Sequence, residues 1–307
     1  MTDMSRIVEN SVFSVETEEG LGAMVRRSIG RAELDHNLFD PFLLLDEFKV
    51  KQPAGFPDHP HRGFETVTYM LSGAVTHEDF LGHEGTINAG DLQWMTAGKG
   101  IVHSEMPAGK MIAHGLQLWV NLGKDDKMTD PQYQELLAKD IPEVNKNGIQ
   151  VKVIAGESLG VKSQVRTRTP TMYLDFKLDK GAKLSQAIPP DWTAFIYVIS
   201  GKSYFGPSSH QILGKEHYIL VLGNGSSVQA ENKDFKRCHF VLIAGKPLRQ
   251  PIVWEGPFVM NTQDEVNNAW NDYTRGKNGF ENSKTWNSKI GLDYLATQTF
   301  DKTSEQK

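Results

Sequence analysis

Phe56-Pro57-Asp58-His59-Pro60-His61-Arg62-Gly63-Phe64-Glu65-Thr66 and, further along, Ala97-Gly98-Lys99-Gly100-Ile101-Val102-His103-Ser104-Glu105-Met106 are the stretches whose reading decides the fold. Each carries a pair of metal-ligand side chains at the spacing i, i+2: His59 with His61, and His103 with Glu105. On an extended strand such residues point to one face, so each pair can aim at a single point inside a sheet or barrel. Together they offer three imidazoles and one carboxylate. That set suits a divalent transition metal such as iron, manganese, nickel or zinc and is poor for magnesium or copper(I). Either pair alone would fit a solvated loop or hydrogen-bonded core histidines; both in one stretch point to a metal.

The sequence around these pairs reads as strands. Thr66-Val67-Thr68-Tyr69-Met70-Leu71 is rich in β-formers and closes on Ser72-Gly73, with Val75 to Phe80 expected as its hairpin partner. Further runs lie at Leu116–Val120, Met172–Leu178, Ala194–Ile199, Tyr218–Leu222 and Cys238–Ile243. Many short strands between Gly and Asn turns predict an all-β barrel or sandwich. Two helices are expected. Asp130-Pro131 reads as an N-cap and N1 proline opening a helix to about Lys139, and Thr262 with Glu265 as a capping box before Val266, Ala269, Trp270 and Tyr273, with Gly276 as the stop. The polar stretch from Thr297 to Lys307 is expected to fray.

An internal echo organises the chain. Tyr69-Met70-Leu71-Ser72-Gly73 returns as Tyr197-Val198-Ile199-Ser200-Gly201, and His114-Gly115-Leu116 returns more weakly as His239-Phe240-Val241. Two copies of one barrel are implied. At the first offset His59 and His61 fall on Ala187 and Pro189, so the second copy lacks the ligands and reads as a structural buttress. The domains are then 1–143, which binds metal, and 144–291, which is degenerate, with a polar tail at 292–307.

Composition limits the alternatives. The chain has 307 residues, enough for two ordinary domains, and no apolar run approaches the ~18 residues of a membrane helix. A net charge of -5 leaves no basic footprint for nucleic acid, so any transcriptional role would run through proteins. The start of the chain has no apolar signal core, and the lone Cys238, in an apolar run, is expected to be a packed structural thiol in a reducing compartment. Phe56, Phe64, Trp94, Met95, Met106 and Trp119 are candidates to line an apolar cavity for a flat aromatic substrate, although such residues more often fill barrel cores. No role is assigned to His77, His83 or His114. Arg26, Arg27 and Arg31 with Asp46-Glu47 read as a surface ion-pair network of little energetic weight.

The histidine strings resemble the two cupin motifs: His59-Pro60-His61 with Glu65 and Gly73, then Gly100-Ile101-Val102-His103. The longer strings Asp40-Pro41-Phe42, Phe56 to Thr66, Gly90-Asp91-Leu92-Gln93-Trp94-Met95-Thr96-Ala97-Gly98 and His114 to Leu122 resemble the pirin family within the cupins. The likeness continues through Ser185–Ser200, Gly256–Thr262 and Lys284-Thr285-Trp286, and leans toward eukaryotic, animal-type members. It implies a bicupin, two double-stranded β-helix barrels, with one iron ion (Fe2+/Fe3+) held by His59, His61, His103 and Glu105. The general cupin pattern would use Glu65; the pirin resemblance favours Glu105, leaving Glu65 to orient a ligating imidazole. The implied activity is that of an iron-dependent quercetin 2,3-dioxygenase, opening a flavonol ring with dioxygen and releasing carbon monoxide, with Glu105 as ligand and proton acceptor. The resemblance also implies a second class of role, a coregulator of NF-κB-type transcription factors that responds to iron redox state. The expectation is a monomer of the nucleus and cytoplasm.

Overall fold

A computed structural model describes residues 4–31 and 36–291; the expected fraying tail, 297–307, lies outside the described residues. The protein is built from two cupin barrels, each a seven-stranded sheet facing a four-stranded one. Among the described residues no helix is long and apolar enough to cross a membrane.

In the barrel that carries the histidine strings, the large sheet runs in the order Gln132–Leu136, Leu92–Thr96, Phe64–Ser72, Ala113–Asn121, Phe42–Val50, Ala23–Ile29 and Val15–Glu19. Its small sheet runs Phe56–His61, Ile101–Pro107, Ala74–Asp79 and Glu84–Asn88. Two sequence expectations fail here for clear reasons. Ala74–Asp79 is not the hairpin partner of Phe64–Ser72: Gly73, at φ +69°, carries the chain into the other sheet, where the strand pairs with Ile101–Pro107. A β-carbon at Gly73 would meet the Ile112 carbonyl at 2.3 Å, so this corner admits only glycine. The stretch after Asp130-Pro131 is not a helix but the strand Gln132–Leu136, paired to Leu92–Thr96. The Asp130 carboxylate bonds Lys99 at 2.6 Å and caps no helix, and the proline simply starts an extended segment.

The second barrel pairs Val8–Phe13, Tyr218–Leu222, Thr193–Ser200, Cys238–Gly245, Thr171–Leu178, Ile149–Ala155 and Glu143–Lys146 in one sheet, and Lys183–Ala187, Ser227–Glu231, Lys202–Phe205 and Ile212–Lys215 in the other. Its interior is apolar, with Val151, Leu174, Phe176, Ile196, Leu220, Phe240 and Leu242 wholly or almost wholly buried. Cys238 belongs to this core, and burial pushes its thiol up to about 11, which keeps it protonated and inert.

The compact units are discontinuous, unlike the contiguous division 1–143 and 144–291 expected from sequence. Among the described residues, 4–15, 27–31 and 36–43 join 139–248, and 16–26 and 249–291 join 44–138. The capping-box helix Gln263–Arg275 forms as expected, with Thr262 accepting from the Glu265 amide and Gly276 in the left-handed conformation. It belongs, however, to the unit of the histidine strings and not to the second barrel. Ala269, Trp270 and Tyr273 pack with Phe80, Met95, Ile101, Phe258 and Phe280.

A candidate metal centre in one barrel

Antiparallel pairing brings the two ligand strings together. Ile101 pairs with His61 and His103 with His59, and a register shift between His103 and Glu105 then sets Glu105 against Phe56. On the other side Glu105 faces His77. The ligand nitrogens of His59, His61 and His103 all lie within 4.8 Å of one another, so the three imidazoles can hold one transition-metal ion. Glu105 sits beside them, its Oε2 3.9 Å from His103 Nε2.

The donor set suits a metal. His61 and His103 are buried, and burial above all, reinforced by neighbouring imidazoles, holds both well below the usual histidine range. They are therefore neutral lone-pair donors at pH 7. Both ring nitrogens of His103 are buried without a hydrogen-bond partner, a costly state that a coordinated cation would relieve at one of them. His59, partly exposed, has Nδ1 2.8 Å from the Pro57 carbonyl, which fixes Nδ1 as the N–H and leaves Nε2 as the nitrogen that would bind a metal. Burial raises the Glu105 carboxyl above its ordinary range despite the opposing pull of His59 and His77. The Thr68 hydroxyl donates to Gln117 Oε1 at 2.6 Å and reaches Glu105 Oε1 at 3.2 Å, leaving Oε2 on the histidine side.

The turn between the strands sets Glu65 apart from the two histidines. His59 and His61 lie on Phe56–His61, Glu65 lies on Phe64–Ser72, and the two strands belong to different sheets. Gly63, at φ +90° and too close to the Val259 carbonyl for any β-carbon, makes the break, so alternation does not carry from 61 to 65. Thr68, which reaches Glu105, is three residues from Glu65 and so on the opposite face. Glu65 instead accepts a hydrogen bond from Thr96 at 2.7 Å.

Several residues given no part in the site by the sequence reading are buried and paired. His77 is buried, with Nε2 3.0 Å from Glu135 Oε1, and stacks on Tyr133. Its alternation with Val75 and Asp79 is ordinary for a strand, so no local signal marked it. Asp46 and Glu47 are buried rather than part of a surface network, and Glu47 pairs with His114 at 2.7 Å. Arg62, almost fully buried, binds Asp272 at 3.0 Å and the carbonyls of Lys99 and Asn278, both at 2.7 Å. Lys127 binds the carbonyls of Gly63 and Val259 and Asn121 Oδ1, and burial lowers its ammonium to about 7. Residues 249–291 thus brace the turn after His61 from outside. Of the apolar candidates, Phe64 and Trp119 stand against the His61 ring at 5.1 and 5.2 Å, whereas Met95 joins the core beneath the helix and Trp94 is wholly buried.

Comparison with known proteins agrees with this architecture. The Pirin family model matches residues 22–120, and the model of the Pirin C-terminal cupin domain matches residues 173–279. Human Pirin is 62% identical over 288 residues, covering 94% of this chain and 99% of that protein. A Pirin-like protein of Solanum lycopersicum is 59% identical, covering 92% of this chain and 97% of its own. Among solved structures, that of quercetin 2,3-dioxygenase from Acinetobacter baumannii superposes with a TM-score of 0.82 at 34% identity, covering 90% of this chain and 99% of that one.

Proposed function

This chain belongs to the pirin family, and we propose that its centre holds a single iron ion through His59, His61, His103 and Glu105 and supports quercetin 2,3-dioxygenase-type ring opening of flavonols. The observation that carries the reading is the convergence of three imidazoles, two of them buried and kept neutral, beside the buried Glu105 carboxyl. Likeness to the quercetin 2,3-dioxygenase structure over 90% of the chain supports the substrate class. Bound iron would supply a one-electron couple and coordination positions left open by four protein ligands.

The chain's own residues supply orientation and proton handling. His59 is fixed in one tautomer by Pro57, and His61 and His103 are held unprotonated by burial. Phe64 and Trp119 offer a flat apolar wall beside His61, suited to an aromatic ring system. Glu105, raised in pKa by burial, accepts the proton of the flavonol hydroxyl more readily than an exposed carboxylate would; coordination moderates that basicity. The overall reaction consumes one dioxygen per flavonol and releases carbon monoxide. The test is elemental analysis of the purified chain joined to oxygen uptake on a flavonol panel: one iron per chain and stoichiometric carbon monoxide support the reading, and iron-loaded protein that consumes no oxygen with any flavonol ends it.

A second reading is favoured by the 62% identity to human Pirin: a coregulator of NF-κB-type transcription factors, in nucleus and cytoplasm, whose partner affinity follows the iron oxidation state. A coupling of about 1–3 kcal/mol between oxidation state and partner binding would be typical of such a switch. Partner affinity that is identical with the iron reduced and oxidised removes it.

A further inference from the structure

The strand that carries His59 and His61 is weakly held within its sheet. Phe56–His61 lies at the edge of the small sheet and has one neighbour there, Ile101–Pro107. Pro57 and Pro60 give no N–H to that ladder. A bulge thins it further, because Phe56 to His59 takes three steps where Glu105 to His103 takes two. The two ends of the strand are tied: Gly55 exchanges both backbone bonds with Leu21, and the Arg62 amide donates to the Pro257 carbonyl. Its middle, where the first ligand sits, depends on another part of the chain.

Residues 288–291 supply that support. The Ser288 amide donates to Asp58 Oδ2 at 3.1 Å, and the Ser288 hydroxyl donates to Asp58 Oδ1. The Lys289 amide donates to Glu78 Oε2 at 2.7 Å, and the Gly291 amide to Ser288 Oγ at 2.9 Å. Ser288 and Gly291 are buried. A β-carbon on Gly291 would stand 2.5 Å from Ser288 Oγ, 3.1 Å from Asp58 Oδ1 and 3.6 Å from Ser104 Oγ, so the segment lies directly against both ligand strands. Asp58 immediately precedes His59, and Ser104 separates His103 from Glu105; neighbours on a strand point to opposite faces. The segment therefore crosses the outer face of the small sheet behind the ligands, and through Glu78 it also reaches the strand Ala74–Asp79.

We propose that residues 288–291 form a latch whose docking is coupled to occupancy of the metal centre. Docked, the latch holds His59 beside His103 and slows release of the ion. With the ion gone the latch loosens, and residues 288–291 become a surface signal of the metal-free state. The latch rests on the ligand set proposed above and not on flavonol chemistry. Such coupling is reciprocal: whatever the docked latch adds to metal affinity, the metal adds to latch docking. The physical link is short. Without a shared ion the imidazoles no longer tie Phe56–His61 to Ile101–Pro107, and a strand with so sparse a ladder draws back. Asp58 moves with it and takes away the acceptor of two Ser288 bonds.

The test compares the full chain metal-free and loaded with Fe(II), without oxygen or flavonol. The amides of Ser288, Lys289 and Gly291 each donate in the docked latch, so their hydrogen exchange, read by mass spectrometry, reports docking directly. Loading iron is expected to slow that exchange about fivefold or more, while Cys238–Gly245 in the other barrel keeps its rate. Two variants then lift the latch without touching a ligand: Ser288→Ala removes the hydroxyl, and Gly291→Ala drives a β-carbon against Ser288 and Asp58. Each is expected to release iron to a chelator about tenfold faster. Equal exchange at 288–291 with and without bound iron overturns the latch, and so does an unchanged release rate in both variants. Slowing to the same degree in Cys238–Gly245 marks a general tightening of the chain and overturns it too. If either variant fails to fold, the exchange comparison on the unmodified chain decides. Bound iron with unchanged exchange sinks the latch alone, whereas a chain that takes up no iron sinks the centre and the latch together.

Discussion

The two barrels share one plan and fill it in opposite ways. In each, the strand closing on a Ser-Gly turn lies between the same two neighbours: Phe64–Ser72 between Leu92–Thr96 and Ala113–Asn121, and Thr193–Ser200 between Tyr218–Leu222 and Cys238–Gly245. The register repeats as well, since Ser72 pairs with His114 and Ser200 with His239. Each histidine bonds a buried carboxylate on the next strand, Glu47 at 2.7 Å and Asp175 at 2.5 Å. The interiors then diverge. Where His103 faces His59 in the first barrel, Ser227 faces Ala187 in the second. The first carries a buried polar layer of Glu105, Thr68, Gln93 and His77, and the second is packed with aliphatic and aromatic side chains. Members of that layer bond one another or their neighbours, Thr68 with Gln117 and Glu105, and His77 and Gln93 with Glu135, which offsets the cost that unpaired buried polar groups would carry.

The sharpest way to break this contrast is to remove a ligand. His61→Ala or His103→Ala is expected to weaken iron binding by more than about 100-fold, beyond the usual effect of changing a residue behind the ligands, while the chain stays folded. Glu65→Gln should keep the metal, because Glu65 bonds Thr96 on the far face of its strand. Elemental analysis reads both. Full iron in either histidine variant, or loss of iron in Glu65→Gln, contradicts the assignment.

The complementary perturbation goes into the other interior. Leu242→Ala deletes a wholly buried side chain of the apolar core and should cost about 2–5 kcal/mol. Urea denaturation gives that figure, and the iron content at saturation should remain one per chain. A stability loss under about 1 kcal/mol would mean that this core is not tightly packed.

What could be read from the sequence follows from the range of each signal. Alternation and i, i+2 spacing are local, so the strands and the convergence of His59, His61 and His103 were legible, and so was the helix cap at Thr262 and Glu265. The repeat was legible because its marker is a glycine at a forced corner: Gly201, at φ +76°, would bring a β-carbon within 2.7 Å of the Arg237 carbonyl, much as Gly73 meets Ile112. Non-local facts were not legible. Nothing near Asp272 announces that it neutralises Arg62, 210 positions away, and nothing in residues 4–15 says that they join 139–248. The failed helix at 130–139 shows the weakness of a cap motif without an apolar stripe behind it, since Gln132–Leu136 has no fully buried residue.

A subtler probe separates the polar layer from the ligands. Thr68→Val keeps shape and removes the hydroxyl that reaches Glu105 Oε1 and Gln117. Iron should be retained but released to a chelator about tenfold faster, at the lower end of what such supporting groups contribute. Thr68→Ser should restore the slow rate. If Thr68→Val releases iron at the original rate, the hydroxyl does not position Glu105.

The smallest effect tests which barrel owns the helix. Thr262→Ala removes the side-chain cap on the Glu265 amide and should cost about 1 kcal/mol. Ala269 and Trp270 pack with Ile101 and Phe258, and Asp272 anchors Arg62 immediately after His61. Loosening the helix should therefore raise amide exchange in Phe56–His61 and Ile101–Pro107, and leave Thr171–Leu178 and Cys238–Gly245 as protected as before. Exchange that rises equally in both barrels would show that the helix supports the whole chain, and exchange that rises only in the second would reverse the assignment of residues 249–291 to the unit of the metal centre.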